Sequence, residues 1–261
     1  GGLKVGEEVT AEVDSSYRQR TKCNHTATHL LQSALKTVLG NEVAQAGSLV
    51  QADRLRFDFN SPKGMTAAEI TEVERLVNLW IGEGHPVNTT SMDLDEAKGN
   101  GATAMFGEKY DDVVRVVDVP NVSMELCGGT HVANLAEIRG FKILAESGIA
   151  SGVRRIEAVS GPGVIELLNT HDLVVKSLTT RLKVKPEEMS DRVERMFEDT
   201  KQAQKQIESL KAELAMAKSA LLVNDAITLP CGAKLVVAQL DGVDAKALGV
   251  AAETLLKSLL E

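Results

Sequence analysis

The spacing of apolar residues changes along this chain, and each change predicts a different kind of element. Leu3, Val5, Val9, Ala11 and Val13 fall at odd positions among polar neighbours, which predicts a short strand or hairpin edge. After the polar stretch 14–22, Ala27, Leu30, Leu31, Ala34, Leu35, Val38 and Leu39 recur at steps of three and four, the stripe of a buried helix that stops at Gly40. Residues 43–59 read as a hairpin, with the alternation Leu55-Arg56-Phe57-Asp58-Phe59 in its second strand. Residues 60–64 have turn chemistry, and Thr66 with Glu69 makes a capping box for a helix through Ile70, Val73, Val77 and Trp80. A strand at 87–92, a helical turn at 93–98 and loops at 99–101 and 107–110 follow. The β-branched run 113–119 and the segment 122–126 predict two strands, and 140–146 and 153–160 two more.

Beyond Pro162 the pattern becomes helical, and beyond Pro186 it becomes strict. Met189, Val193, Met196, Thr200, Ala203, Ile207, Leu210, Leu214, Ala217 and Leu221 alternate steps of four and three, a heptad seam. That predicts a coiled coil or long hairpin arm, whose plainest role is spacing or oligomerisation. Residues 234–240 read as a strand and 244–260 as a helix. One strand and one helix cannot bury two faces, so the chain is expected to stop inside a further domain. The fold class is therefore α+β, with a mixed or antiparallel sheet packed by helices and a long coiled-coil-like helical arm after it. The expected segments are 1–16, the end of a preceding β-rich segment; 17–163, the main domain; 164–224, the arm; and 225–261, the start of a C-terminal α/β domain.

Composition narrows the picture. The 261 residues are 43% hydrophobic and 25% charged, so a globular protein with a sizeable core is expected. A net charge of −8 and 3% aromatics argue against indiscriminate nucleic-acid binding and against a surface that stacks many bases, while leaving room for a local basic strip. Cys23, Cys127 and Cys231 are an odd, widely spaced set, which points to a reducing compartment. No signal-peptide pattern and no apolar run of spanning length is present, so a soluble cytoplasmic protein is expected, or an organellar one whose transit peptide has been removed. The start at Gly1-Gly2 suggests a piece of a longer chain.

Two short stretches carry the chemistry. Asn24-His25-Thr26-Ala27-Thr28-His29 opens the first helix, where positions four apart share a face, so His25 and His29 can point at one ion. Cys127-Gly128-Gly129-Thr130-His131 comes about a hundred residues later, and its two glycines let the backbone turn sharply and bring bare N–H groups to a ligand. Either stretch alone reads as two polar side chains or a tight turn. Together they offer three imidazoles and one thiolate, and three of only five histidines fall within them. Such a nitrogen and sulfur set suits zinc, at roughly 2.0 to 2.3 Å. The zinc is structural if all four residues close around it, and catalytic if a position stays open for water, whose pKa it lowers. The histidine-rich set leans to the second.

Lesser candidates surround this set. Arg18, Arg20 and Lys22 precede the histidines and read either as a solvated connector or as phosphate contacts. Arg154 and Arg155 are adjacent on a strand and face opposite sides, so at most one points at the cleft and the other pairs with a carboxylate such as Glu157 or meets solvent. Thr26 and Thr28 could offer hydroxyls to a ligand, or bond their own helix backbone.

The ordered set His25-Thr-Ala-Thr-His29-Leu-Leu, Gly47-Ser-Leu-Val, Leu55-Arg-Phe-Asp-Phe, Ala104-Met-Phe-Gly-Glu-Lys-Tyr110, Glu125-Leu-Cys-Gly-Gly-Thr-His131 and Gly152-Val-Arg-Arg-Ile-Glu-Ala158 resembles the editing domain of alanyl-tRNA synthetase, from about residue 5 to 163. The arm after it resembles the linker towards that enzyme's C-terminal domain. The resemblance implies an editing-type domain that hydrolyses mischarged tRNA(Ala), at the ester joining serine or glycine to the terminal ribose. It implies Zn2+ bound by His25, His29, Cys127 and His131, and an amino-acid pocket shaped by Gln45, with Thr28 and the Gly128 and Gly129 N–H groups beside it. It also implies a tRNA acceptor end carrying Ser or Gly as ligand, with Arg18, Arg20, Lys22 and Arg154 or Arg155 on its phosphates. No aminoacylation domain is expected, and the arm or the C-terminal domain is the expected site of a homodimer contact. The alternative is a non-catalytic, zinc-stabilised tRNA-binding or oligomerisation module.

Overall fold

A computed structural model of the chain describes residues 2, 4–104, 110–240, 242–243 and 245–260. Residues 105–109, which belong to one of the motifs and to one of the predicted loops, lie outside that set. The chain divides into two compact units, Gly1–Leu173 and Val174–Glu261, with the division inside a helix.

In the first unit, helix α1 (Ser15–Leu39) begins where the Asp14 carboxylate accepts the N–H of Tyr17, and ends at Gly40, whose φ of 120° suits a residue without Cβ. It starts before the apolar stripe does, so Arg18, Arg20 and Lys22 are helical residues and not a connector. The strand expected at residues 3–13 is absent from the described residues 4–13, where Val5, Val9 and Val13 are exposed. Alternation alone makes no strand when no neighbouring strand satisfies its backbone.

Strands β1 (Gln45–Val50) and β2 (Leu55–Asn60) form the expected hairpin. Helix α2 (Ala67–Glu83) carries the expected capping box at Thr66 and Glu69 and stops at left-handed Gly84. Next come β3 (Asn88–Asp93), α3 (Leu94–Gly99), β4 (Val113–Val119), β5 (Ser123–Leu126), a 3-10 turn (Leu135–Ile138), β6 (Phe141–Ala150), β7 (Val153–Ser160) and α4 (Pro162–Leu182).

Two antiparallel sheets result, one in the order β1-β2-β7-β6 and the other β3-β4-β5. Leu55, Phe57 and Phe59 of β2 and Ile156 and Ala158 of β7 join Leu30, Leu31 and Leu35 of α1 and Val73 and Val77 of α2 in one core. Each of those leucines is fully buried, so truncating one to alanine would cost about 2–5 kcal/mol. Successive side chains of a strand face opposite ways, and β4 uses both faces. Val117 and Val119 join the main core, while Val114 and Val116 pack with Leu126 and Ala97 in a smaller one. Burial on both sides is why 113–119 lacks polar alternation. β5 runs beside β4 with Val117 opposite Glu125, and so delivers Cys127 next to the main core.

In the second unit, a 3-10 turn (Pro186–Glu188) leads into α5 (Met189–Leu221), then β8 (Ile227–Thr228), β9 (Lys234–Leu235) and α6 (Ala245–Leu260). The strand expected over 234–240 is limited to the two residues of β9, paired with β8. Ala215 of α5 packs on Ala247 and Ala251 of α6, and the buried Ser219 hydroxyl donates to the Ala251 carbonyl at 2.8 Å. Along the seam, Val193, Met196, Ile207, Leu210, Leu214 and Leu221 are exposed. No helix among the described residues is long and apolar enough to cross a membrane.

Candidate metal centre

Docking of α1 against the turn after β5 brings His25 and His29 to Cys127 and His131. One ligand atom from each of the four lies within 4.8 Å of all the others. Cys127 Sγ is 3.4 Å from His25 Nε2 and 3.3 Å from His131 Nε2. Tetrahedral zinc with the usual bond lengths would place sulfur and nitrogen about 3.6 Å apart, so these separations are within a few tenths of an ångström of what one shared ion requires. The donor set and its spacing thus fit a metal ion, zinc among them. His29 and His131 are buried, while His25 and Cys127 are partly exposed, leaving the cluster open on one side.

The protonation of the cluster suits a cation. Burial pushes the Cys127 thiol up, but its close contacts with the rings of His131, His25 and His29, and the charge of His29, outweigh it and bring the group down to about 3. Burial lowers His29, yet the Glu125 carboxylate and the contact with Cys127 lift it to about 10. His131 is lowered, by burial first and then by the charges of its neighbouring imidazoles. Without metal the cluster holds a thiolate beside an imidazolium, and a cation bound there would replace the imidazolium proton.

The loop carrying Cys127 is held by its own backbone and by one arginine. Cys127 N–H donates to Arg115 C=O at 3.0 Å, and the Arg115 guanidinium donates to the carbonyls of Cys127 and Gly129 at 2.9 and 2.5 Å. Gly129 is required by space, because a Cβ there would lie 2.5 Å from His25 Nδ1. Among the described residues, its chain neighbours aside, nothing lies within 4 Å of a Cβ built on Gly128. At the other end, the buried Asn24 amide donates to Gln51 C=O at 2.8 Å, and its carbonyl oxygen accepts from Ser160 N–H and hydroxyl at 3.1 and 2.8 Å. That ties α1, one residue before His25, to the turn after β1 and to the last residue of β7.

The family model that matches this chain is the threonyl and alanyl tRNA synthetase second additional domain, over residues 114–157, a stretch that includes Cys127 and His131. Across 259 residues, 99% of the chain, the sequence is 60% identical to a Micromonas pusilla (strain CCMP1545) protein named alanine--tRNA ligase, chloroplastic/mitochondrial. An Ostreococcus lucimarinus (strain CCE9901) protein of the same name is also 60% identical over 99% of the chain, and a Nostoc punctiforme (strain ATCC 29133 / PCC 73102) alanine--tRNA ligase is 55% identical over the same share. From end to end, the chain is related to alanine--tRNA ligases. It spans 29%, 28% and 29% of the length of those three relatives.

Against that kinship, the remaining candidates divide by their partners. Thr28 is buried and its hydroxyl donates to Asn24 C=O at 2.8 Å, the backbone alternative foreseen for it. Gln45 opens β1 at a bulge and donates to the Ser48 hydroxyl at 3.1 Å. Arg20 pairs with Glu166 of α4. The two strand arginines do face opposite sides, and both meet carboxylates: Arg154 binds Glu146 through two nitrogens at 2.5 and 2.8 Å, and Arg155 binds Asp58 at 2.7 and 2.8 Å. Glu157, named as a partner for either, is not used in those pairs. Arg18 and Lys22 make no ion pair among the described residues.

Sequence reasoning missed Arg115, Asn24 and Glu125. Glu125 Oε2 lies 3.1 Å from His29 Nδ1, with both side chains largely buried. A carboxylate two residues before the cysteine was the available signal for the last.

Proposed function

We propose that this chain hydrolyses the ester joining serine or glycine to the 3′ end of tRNA(Ala), as the proofreading part of an alanine--tRNA ligase, with one Zn2+ held by His25, His29, Cys127 and His131. The observation that carries the reading is the convergence of those four side chains, from a helix and a turn a hundred residues apart, in a cluster that stays open on the His25 and Cys127 side. The names of the relatives support the substrate class, since a site built for alanine rejects neither smaller glycine nor, sufficiently, serine with its added hydroxyl, and a second sieve is needed.

When bound, zinc supplies a Lewis acid that polarises oxygen. The protein supplies position. Thr28, whose hydroxyl can still accept a hydrogen bond, and Gln45 contact the amino acid. The open space at Gly128 receives the ester and terminal adenosine near the Gly128 and Gly129 N–H groups. Arg18 and Lys22, one turn apart on α1, meet the acceptor-stem phosphates first. Arg20, Arg154 and Arg155 are secondary in that role, because each must leave a carboxylate to take part. The exposed seam of α5 is where a homodimer contact would form. Such a protein works wherever tRNA(Ala) is charged, in cytoplasm or organelle.

The test is deacylation of seryl-tRNA(Ala) by the intact chain, by Cys127→Ala and by Thr28→Ala, with folding followed by circular dichroism. The intact chain is expected to hydrolyse the ester, folded Cys127→Ala to lose that activity, and Thr28→Ala to be impaired. Unchanged hydrolysis by Cys127→Ala would refute the site. Loss of activity on chelation only together with loss of fold would favour a zinc-stabilised binding module instead.

A further inference from the structure

The hydroxyl of Thr26 is placed to settle which nitrogen of His131 carries a proton. It lies 3.0 Å from Lys22 C=O, 3.2 Å from Val132 N–H and 3.2 Å from His131 Nδ1. A threonine hydroxyl has one proton and two lone pairs. Its proton goes to the Lys22 carbonyl, which accepts only, so both lone pairs accept, one from Val132 N–H and the other from His131 Nδ1–H. His131 Nε2 is then unprotonated, and that is the atom facing Cys127 Sγ at 3.3 Å.

His29 is treated similarly by a charge. Its Nδ1 is buried and has no aligned hydrogen bond among the described residues, and Glu125 Oε2 lies 3.1 Å away. The other Glu125 oxygen accepts from the Ser123 hydroxyl at 3.0 Å. Backbone bonds on β5 restrain the carboxylate further: Leu126 N–H donates to Thr103 C=O at 3.0 Å, and Thr103 N–H to Met124 C=O at 2.8 Å. At 3.1 Å Glu125 is the acceptor within reach of an Nδ1–H, which leaves Nε2 as the His29 nitrogen free for the cluster.

We propose that Thr26 and Glu125 are positioning residues that keep a proton on Nδ1 of His131 and of His29, so that Nε2 is the atom each ring turns to the metal and, for His29, the one that gives up its proton to it. The proposal rests on the four-ligand reading above. Neither residue binds the ion; each fixes the rotation and tautomer of a ring that does.

The experiment measures Zn2+ affinity, by competition with a chromophoric chelator, for the full chain, Thr26→Val, Thr26→Ser, Glu125→Gln and Cys127→Ala. It adds the Co2+ spectrum and 15N NMR of the histidine rings. Thr26→Val and Glu125→Gln should still bind through four ligands, but roughly 10- to 100-fold more weakly. Their Co2+ ligand-field bands should shift, and the Nδ1–H signal of the affected ring should move or broaden. Thr26→Ser, which keeps the hydroxyl, should restore wild-type behaviour.

Affinity and spectra unchanged in both Thr26→Val and Glu125→Gln would overturn the proposal while leaving the four-ligand site standing. Binding by Cys127→Ala as tight as wild type, or none by the wild type, would instead overturn the four-ligand reading. Should Thr26→Val not fold, Glu125→Gln and Thr26→Ser against wild type decide the matter: unchanged affinity in the first, or a loss in the second, counts against it.

Discussion

The two glycines of the turn make opposite predictions although they are neighbours. A methyl group on Gly129 would sit 2.5 Å from His25 Nδ1 and 3.3 Å from Nε2, whereas one on Gly128 meets nothing within 4 Å among the described residues. Neither glycine has a positive φ, so alanine brings no backbone strain at either place and the comparison is purely steric. Cε1 of His25 lies closer still, so to restore ordinary contact the ring must retreat by more than about 1 Å, which stretches a metal–nitrogen bond of about 2.1 Å beyond bonding range. A structural four-ligand zinc site is worth about 10–16 kcal/mol, so losing one ligand costs about 3 kcal/mol, or about 100-fold in affinity. Chelator competition should therefore show Gly129→Ala binding Zn2+ about 100-fold more weakly than wild type and Gly128→Ala within about threefold. Wild-type affinity in Gly129→Ala, or an equal loss in both variants, would refute the steric argument.

Other consequences follow from charge. With Cys127 held at about 3 and His29 lifted to about 10, Zn2+ binding near neutral pH should expel about one proton, from His29, and tighten as pH rises towards 10. Calorimetry in two buffers of different ionisation heat measures it, and equal heats in both would contradict it. Asp58 is held below the usual carboxylate range, first by its hydrogen bonds from Arg155, against some burial, and further by Arg56. A depressed carboxylate stabilises the fold above its unfolded pKa and loses that contribution as pH falls through the folded value. Asp58→Asn should thus cost up to about 1 kcal/mol in urea unfolding near neutrality, modest because Arg155 is partly exposed, and the gap to wild type should close in acid. Arg18→Ala and Lys22→Ala should raise KM for charged tRNA and flatten its salt dependence without lowering stability. Arg154→Ala should instead lower stability, because Glu146, whose side chain is nearly buried, loses its partner. Equal KM effects with no loss of stability in all three would reverse that assignment.

Local pattern was enough for much of this protein. The spacing of His25 and His29 on a helix, the capping box at Thr66 and Glu69, the hairpin through Phe57 and Phe59 and the doubly buried run of β4 depend on residues near one another in sequence. Their periods are properties of the backbone itself. Where local pattern misled, a neighbour was missing or added. Among the described residues the alternation before Val13 makes no strand, because no strand pairs with it, and Arg18 to Lys22 join α1 because the helix begins at Ser15.

Only tertiary structure decided what surrounds the four ligands. Glu125 opposes His29, Arg115 grips the Cys127 turn, and Thr26 reaches His131 across 105 positions. Arg20, Arg154 and Arg155 are each committed to a carboxylate, at separations of 146, 8 and 97 residues. Such contacts depend on how α1 docks and on which residue of one strand stands opposite which of another. A shift of one residue in that register turns a side chain to the other face. The sequence could name the atoms able to hold a metal; the packing of helix against sheet chose the groups that orient them.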